Sequence, residues 1–152
     1  MTHHASALRA LNYPALPPGY EHKPNQMRAS AHTDYGTITI LRSGGPGLQV
    51  CKDRKDEAWV PVPHVQDADV FIINLGDLMR RWTNDHYTST LHRVLPSQDR
   101  RQSIAFFHNL NRDARVSNLR ADEPDKYEPI QAGDFLMQKH LASLANSTTV
   151  KK

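Results

Sequence analysis

One cysteine, Cys51, stands alone in 152 residues. No disulfide can form within the chain, and a reduced, cytoplasmic setting is expected. No run of about 18 apolar residues occurs, so no membrane-spanning helix is expected. The opening residues, Met1 to Leu8, have no apolar stretch behind a basic one, so no signal peptide is expected there. Hydrophobic residues make up only 38% of the chain, which limits the core that one domain of this length can build. An aromatic-studded basic stripe, the mark of a nucleic-acid surface, is also missing. Lys52, Arg54, Lys55, Arg80 and Arg81 are scattered among acidic residues, so the net charge of +3 reads as a solvated surface. A mild positive excess of this kind attracts small anionic substrates.

What is present is β-patterned. Residues 15–30 read as loop, with turn formers in Pro17-Pro-Gly19 and Lys23-Pro-Asn25. Thr37–Leu41 is β-branched and runs into a Gly/Pro turn at 43–47. Gly47–Val50 and Ala58–Val62 flank a charged loop and read as a hairpin, and Asp69–Asn74 reads as a buried strand. A short turn or helix is expected from Gly76 to about Asp85, then strands over Tyr87–Val94 and Gln102–His108. Only Gln131–Ala145 carries helical spacing, through Phe135, Leu136, His140, Leu141 and Leu144. Many short strands broken by Gly, Pro and Asn predict an all-β sandwich or barrel with a C-terminal helix.

The chemistry concentrates in five residues. In a strand, residues two apart share a face, so His32 and Asp34 place an imidazole and a carboxylate side by side. A third ligand from elsewhere in the fold, His92 in Thr90-Leu-His-Arg-Val94, would complete a two-His-one-carboxylate facial triad, the ligand set of non-haem Fe(II) oxygenases. The chain has nine histidines, and His86 competes with His92 for that place. Arg101 and Ser103 are again two apart on a predicted strand. If buried, that guanidinium needs a carboxylate, which a bidentate ligand would supply. The competing reading of Arg101 is a surface residue of the basic pair Arg100-Arg101.

Together these segments resemble the isopenicillin N synthase-like subgroup of Fe(II)/2-oxoglutarate-dependent dioxygenases. The resemblance rests on Arg28–Gly36, Gly47–Val50, Trp59–Val62, Phe71–Asp77, Trp82–Asn84, Ser89–Val94 and Arg101–Phe107, in family order. It implies a mainly β double-stranded β-helix (jelly roll) over residues 8–145, with 1–7 and 146–152 as flexible ends. It implies that His32, Asp34 and His92 bind Fe(II), and that Arg101 and Ser103 hold the distal carboxylate of 2-oxoglutarate. In Leu11-Asn-Tyr-Pro14, Tyr13 matches the tyrosine that often touches the same co-substrate. The implied reaction consumes O2 and 2-oxoglutarate and releases succinate and CO2. A small organic molecule is hydroxylated, desaturated or cyclised, as in secondary metabolism.

The sequence departs from the family in length. The strands and helices that normally precede the Leu11–Pro14 segment are lacking, so apolar surface and sheet edges are expected to lie open, around Thr37–Leu41 and Asp69–Asn74, or to be buried by self-association. Three other readings stay open: a non-catalytic relative that binds metal or a partner, an iron oxidase that needs no 2-oxoglutarate, and a jelly-roll binding module without redox chemistry.

Overall fold

A computed structural model describes residues 3–66, 70–120 and 122–149, with side chains to 145. Its strands are β1 (Ala7–Tyr13), β2 (Ala29–His32), β3 (Ile38–Ser43), β4 (Leu48–Asp53), β5 (Ala58–Pro61) and β6 (Ile72–Leu75). After helix α1 (Asp77–Trp82) come β7 (His92–Val94), β8 (Arg101–His108), β9 (Arg115–Val116), β10 (Ile130–Gln131) and helix α2 (Ala132–Thr149). Two four-stranded antiparallel sheets form, in orders β1-β8-β3-β6 and β2-β7-β4-β5, beside a small β9–β10 pair. This is the mainly β sandwich with a C-terminal helix that the turn-broken strand pattern predicts, in the jelly-roll form that the resemblance implies.

Alternation along β8 shows how the sheet is aimed. Arg101, Ser103 and Ala105 are buried on the inner face, while Gln102 and Ile104 are exposed on the outer one. Pairing Tyr13 with Arg101 and Leu11 with Ser103 brings the inner face of β1 into the same row. The apolar core lies at one end, where Leu78, Leu110, Val116, Ala132 and Phe135 pack between the two helices and the β9–β10 pair. The space between the inner faces of the sheets is a cavity of about 520 Å³.

The turn after β2 is braced by α1. The N–H of Asp77 donates to the Asp34 carbonyl at 2.8 Å, and that of Leu78 to the Tyr35 and Gly36 carbonyls, both at 3.1 Å. Gly76 permits this contact, because a Cβ there would collide with the carbonyl oxygens of Gly36 and Asp34.

Several expected boundaries move. Residues 87–91 are not a strand, and the ladder expected over Tyr87–Val94 starts only at His92. Its partner β4 matches Leu48–Val50 to β7 and adds one further hydrogen bond, from the Cys51 N–H to the Leu91 carbonyl at 2.8 Å; the irregularity at Cys51–Asp53 belongs to the β4–β5 pair. The strand expected at Asp69–Asn74 is Ile72–Leu75, and Asp69 lies outside the described residues. Of the flexible end expected at 1–7, residues 1–2 lie outside the described residues, while His4 bridges Asn111 and the Ala5 N–H donates to the Leu110 carbonyl. Of the end expected at 146–152, helix α2 continues through Thr149, and 150–152 lie outside the described residues.

The outer face of the β1-β8-β3-β6 sheet is open at β1, β6 and β8, whereas Thr37–Leu41, where open surface was also expected, is buried or half-buried. Leu8, Ile73 and Ile104 project from β1, β6 and β8 with 70%, 64% and 50% of their surface exposed, and Phe71 just before β6 with 56%.

Candidate active site

His32 ends β2 and His92 opens β7, and these two residues face each other across the antiparallel pair. Their rings lie 4.3 Å apart between centroids. Asp34, two residues past His32 on the turn held by α1, brings its Oδ1 to 3.9 Å from His32 Nε2 and 3.8 Å from His92 Nε2. One ligating atom from each of the three lies within 4.8 Å of the others. His86 is elsewhere, with its Nδ1 at 3.2 Å from the Arg120 guanidinium and its ring against Tyr87.

Each imidazole is oriented by the backbone two residues before it. His32 Nδ1 lies 2.7 Å from the Ser30 carbonyl, and His92 Nδ1 lies 3.0 Å from that of Thr90. A carbonyl only accepts, so each ring, when neutral, carries its proton on Nδ1 and leaves the Nε2 lone pair for the shared point. The Asp34 carboxylate is likewise divided. Its Oδ2 accepts from the Thr39 hydroxyl at 2.7 Å and from the Asn74 amide at 2.9 Å, while Oδ1 faces the histidines. Two nitrogen donors and one carboxylate oxygen converge from one side. That donor set fits a divalent iron with positions left open opposite.

Deeper in the same cavity, Arg101 is 3% exposed and Ser103 is 6% exposed. The guanidinium donates to the Ser43 hydroxyl at 2.9 Å, the Ser103 hydroxyl at 3.4 Å, and the Gly45 and Pro46 carbonyls at 3.3 and 3.2 Å. Among the described residues no carboxylate pairs with it. Burial pulls its pKa below the ordinary arginine value, and the charge of Arg28 acts in the same direction. Tyr13 lies between the two cations, its ring centre 5.7 Å from the Arg101 guanidinium carbon and 5.5 Å from that of Arg28. All the residues singled out from the sequence therefore line one cavity: His32, Asp34 and His92 together with Arg101, Ser103 and Tyr13.

Thr39, Asn74 and Arg9 also line the cavity and were given no role from the sequence. Thr39 and Asn74 each interrupt an apolar strand, Ile38–Leu41 and Ile72–Leu75, and a polar residue on the inner face of such a strand is the signal that would have found them. Arg9 and Phe107 lie on β1 and β8 beyond Leu11 and Ala105, with the Arg9 guanidinium 5.7 Å from the Phe107 ring centre. No pattern of spacing marks Arg9.

Comparison with known proteins agrees with this geometry. The family model described as the 2OG-Fe(II) oxygenase superfamily matches residues 5–110. The 2-oxoglutarate-dependent dioxygenase tropC of Talaromyces stipitatus is 44% identical over 98 residues, covering 63% of this chain and 29% of its own. The 2-oxoglutarate-Fe(II) type oxidoreductase hxnY of Emericella nidulans is 37% identical over 153 residues, covering 97% of this chain and 43% of its own. Among solved structures, a full-length Neurospora crassa protein in complex with alpha-KG and thymine superposes with a TM-score of 0.79 at 34% identity, over 91% of this chain and 44% of that one. The chain thus spans less than half the length of these relatives.

Proposed function

The chain belongs to the 2OG-Fe(II) oxygenase superfamily, and on that footing we propose that it oxidises a small organic molecule using Fe(II), O2 and 2-oxoglutarate. One observation carries the reading. A buried arginine that pairs with no carboxylate among the described residues lines the same cavity as a His-Asp-His cluster. A dicarboxylate reaching from one to the other satisfies both: its distal carboxylate neutralises Arg101, and its 2-oxo acid end meets the metal.

In this reading His32, Asp34 and His92 hold the iron through Nε2, Oδ1 and Nε2. Bound Fe(II) supplies the chemistry that couples oxidative decarboxylation of 2-oxoglutarate, to succinate and CO2, with oxidation of a C–H bond. The protein positions and shields these partners. Arg101 and Ser103 anchor the distal carboxylate, and Tyr13 flanks it with Arg28 adding positive potential. Leu48, Val94 and Ala105 are buried at the cavity wall and present apolar surface to a bound co-substrate. Arg9, Leu11 and Phe107 face the substrate end. A guanidinium beside an aromatic ring suits a flat polar molecule, consistent with the thymine bound in the Neurospora crassa structure. No helix of the described residues is long and apolar enough to cross a membrane. With its single unpaired thiol, Cys51, the chain suits a reducing cytoplasm, which also keeps iron divalent.

Anaerobic addition of Fe(II) and then 2-oxoglutarate tests the proposal. The expected result is the weak visible charge-transfer band of the chelate. After admission of O2, succinate should form in step with 2-oxoglutarate consumption. Iron binding without the band would favour the oxidase reading. Chelate formation without succinate would favour a non-catalytic relative.

A further inference from the structure

The two oxygens of Asp34 have different surroundings. Oδ1 faces the two imidazoles, and Oδ2 is held by the Thr39 hydroxyl and the Asn74 amide at 2.7 and 2.9 Å. Both donors come from one place in the fold. Thr39 on β3 and Asn74 on β6 are direct partners across the antiparallel ladder, and both point to the inner face. Asp34 itself sits on a turn, where the carboxylate is free to rotate about its terminal torsion. Thr39 is 5% exposed, so water does not readily replace its hydroxyl.

We propose that Thr39 and Asn74 are positioning residues: as a cross-strand pair they lock Asp34 into binding the metal through Oδ1 alone. The inference rests on the iron site proposed above. A carboxylate released from this pair can turn and bind through both oxygens. It would then occupy a position that the co-substrate or O2 needs. Two donors also remove the orientational freedom that Asp34 would otherwise lose on meeting the metal. Partners of this kind, hydrogen-bonded to a ligand rather than to the metal, typically change metal affinity about 10- to 100-fold when removed.

The test uses anaerobic Co(II) titration of the whole chain, followed by its visible d–d spectrum and by calorimetry. Thr39→Val, which keeps shape and removes the donor, and Asn74→Leu are each expected to weaken Co(II) binding about 10- to 100-fold and to alter the d–d band. Thr39→Ser, which restores a hydroxyl, should recover most of the affinity. Asp34→Ala provides the reference: if Thr39 acts only through Asp34, adding Thr39→Val to that background should cost nothing further, beyond about twofold. The proposal is overturned if folded Thr39→Val and Asn74→Leu bind Co(II) within about twofold of the unsubstituted chain. It is equally overturned if Thr39→Val keeps its full penalty in the Asp34→Ala background. Should the unsubstituted chain bind no Co(II), the metal site and this inference fall together, an outcome distinct from the other two.

Discussion

The Arg101 guanidinium donates to the Ser103 hydroxyl at 3.4 Å, and both residues are buried with no carboxylate ion-paired to the arginine among the described residues. A cation left in this condition is costly to bury. Its four oxygen acceptors, from Ser43, Gly45, Pro46 and Ser103, hold it in place without neutralising it. The neutralising group is therefore expected from solution.

Arg101→Met should weaken 2-oxoglutarate binding about 10- to 100-fold, as loss of a hydrogen bond to a charged group worth about 1.5–3 kcal/mol requires. Arg101→Lys should recover only part, because an ammonium lacks the planar fork. Calorimetry on the anaerobic metal-loaded protein measures this, and unchanged affinity in Arg101→Met would remove Arg101 from the co-substrate site.

His92→Ala should abolish tight Fe(II) or Co(II) binding, whereas His86→Ala should leave it intact. His92 Nε2 is 3.8 Å from Asp34 Oδ1, while His86 is engaged with Arg120. Metal titration of the two variants decides between them, and a metal-free His86→Ala protein would overturn the assignment.

Asp85 should contribute stability that acid removes. Burial pushes its carboxyl up, but hydrogen bonds from Tyr127 and Arg80, with the charges of Arg80 and Lys126, outweigh burial and hold it below its ordinary value. A lowered folded-state pKa gives stabilisation present above the unfolded value of about 3.9 and lost as pH falls through the folded one. Asp85→Asn should therefore unfold at lower urea than the parent near neutral pH. The gap should close as the pH drops below about 3.9. A gap independent of pH would show that the charge is not responsible.

Leu78→Ala should destabilise the chain by about 2–5 kcal/mol, since a fully buried leucine leaves a cavity. Leu78 is 0% exposed and joins α1 to Val116, Leu110 and Phe135. Because α1 also braces the Asp34 turn, the same variant should weaken metal binding. Urea denaturation paired with Co(II) titration reads both effects.

The open face bearing Leu8, Phe71, Ile73 and Ile104 should make the isolated chain associate as concentration rises and bind a dye for exposed apolar surface. Ile73→Lys with Ile104→Lys should suppress both, as followed by sedimentation velocity. A monomer at all concentrations without dye binding would show that this face is tolerated in water.

Residues two apart on a strand share a face whatever the rest of the fold does, so Arg101 with Ser103 was legible from the sequence alone, whereas Asp34 lies past the end of β2 and meets His32 through the turn that α1 holds. Alternation and turn residues likewise reveal most of the strands and, through helical spacing, α2. The family pattern singled out His92 over His86, and tertiary structure alone brings His92 to the pair, by antiparallel pairing of β2 with β7. Strand limits were less legible. Whether Tyr87–Leu91 forms a ladder depends on how far β4 stays paired with it, a property of the neighbour, and that pairing reaches only to the Cys51–Leu91 hydrogen bond. The two-residue strands β9 and β10 carry too few residues for any period. The division of labour at Asp34 was also invisible, because Thr39 and Asn74 meet only through the β3–β6 register. Local periodicity is written in the chain because backbone geometry acts over neighbouring residues. Register between distant strands is settled only when the whole sandwich closes, and here that closure decides which oxygen of Asp34 faces the two histidines.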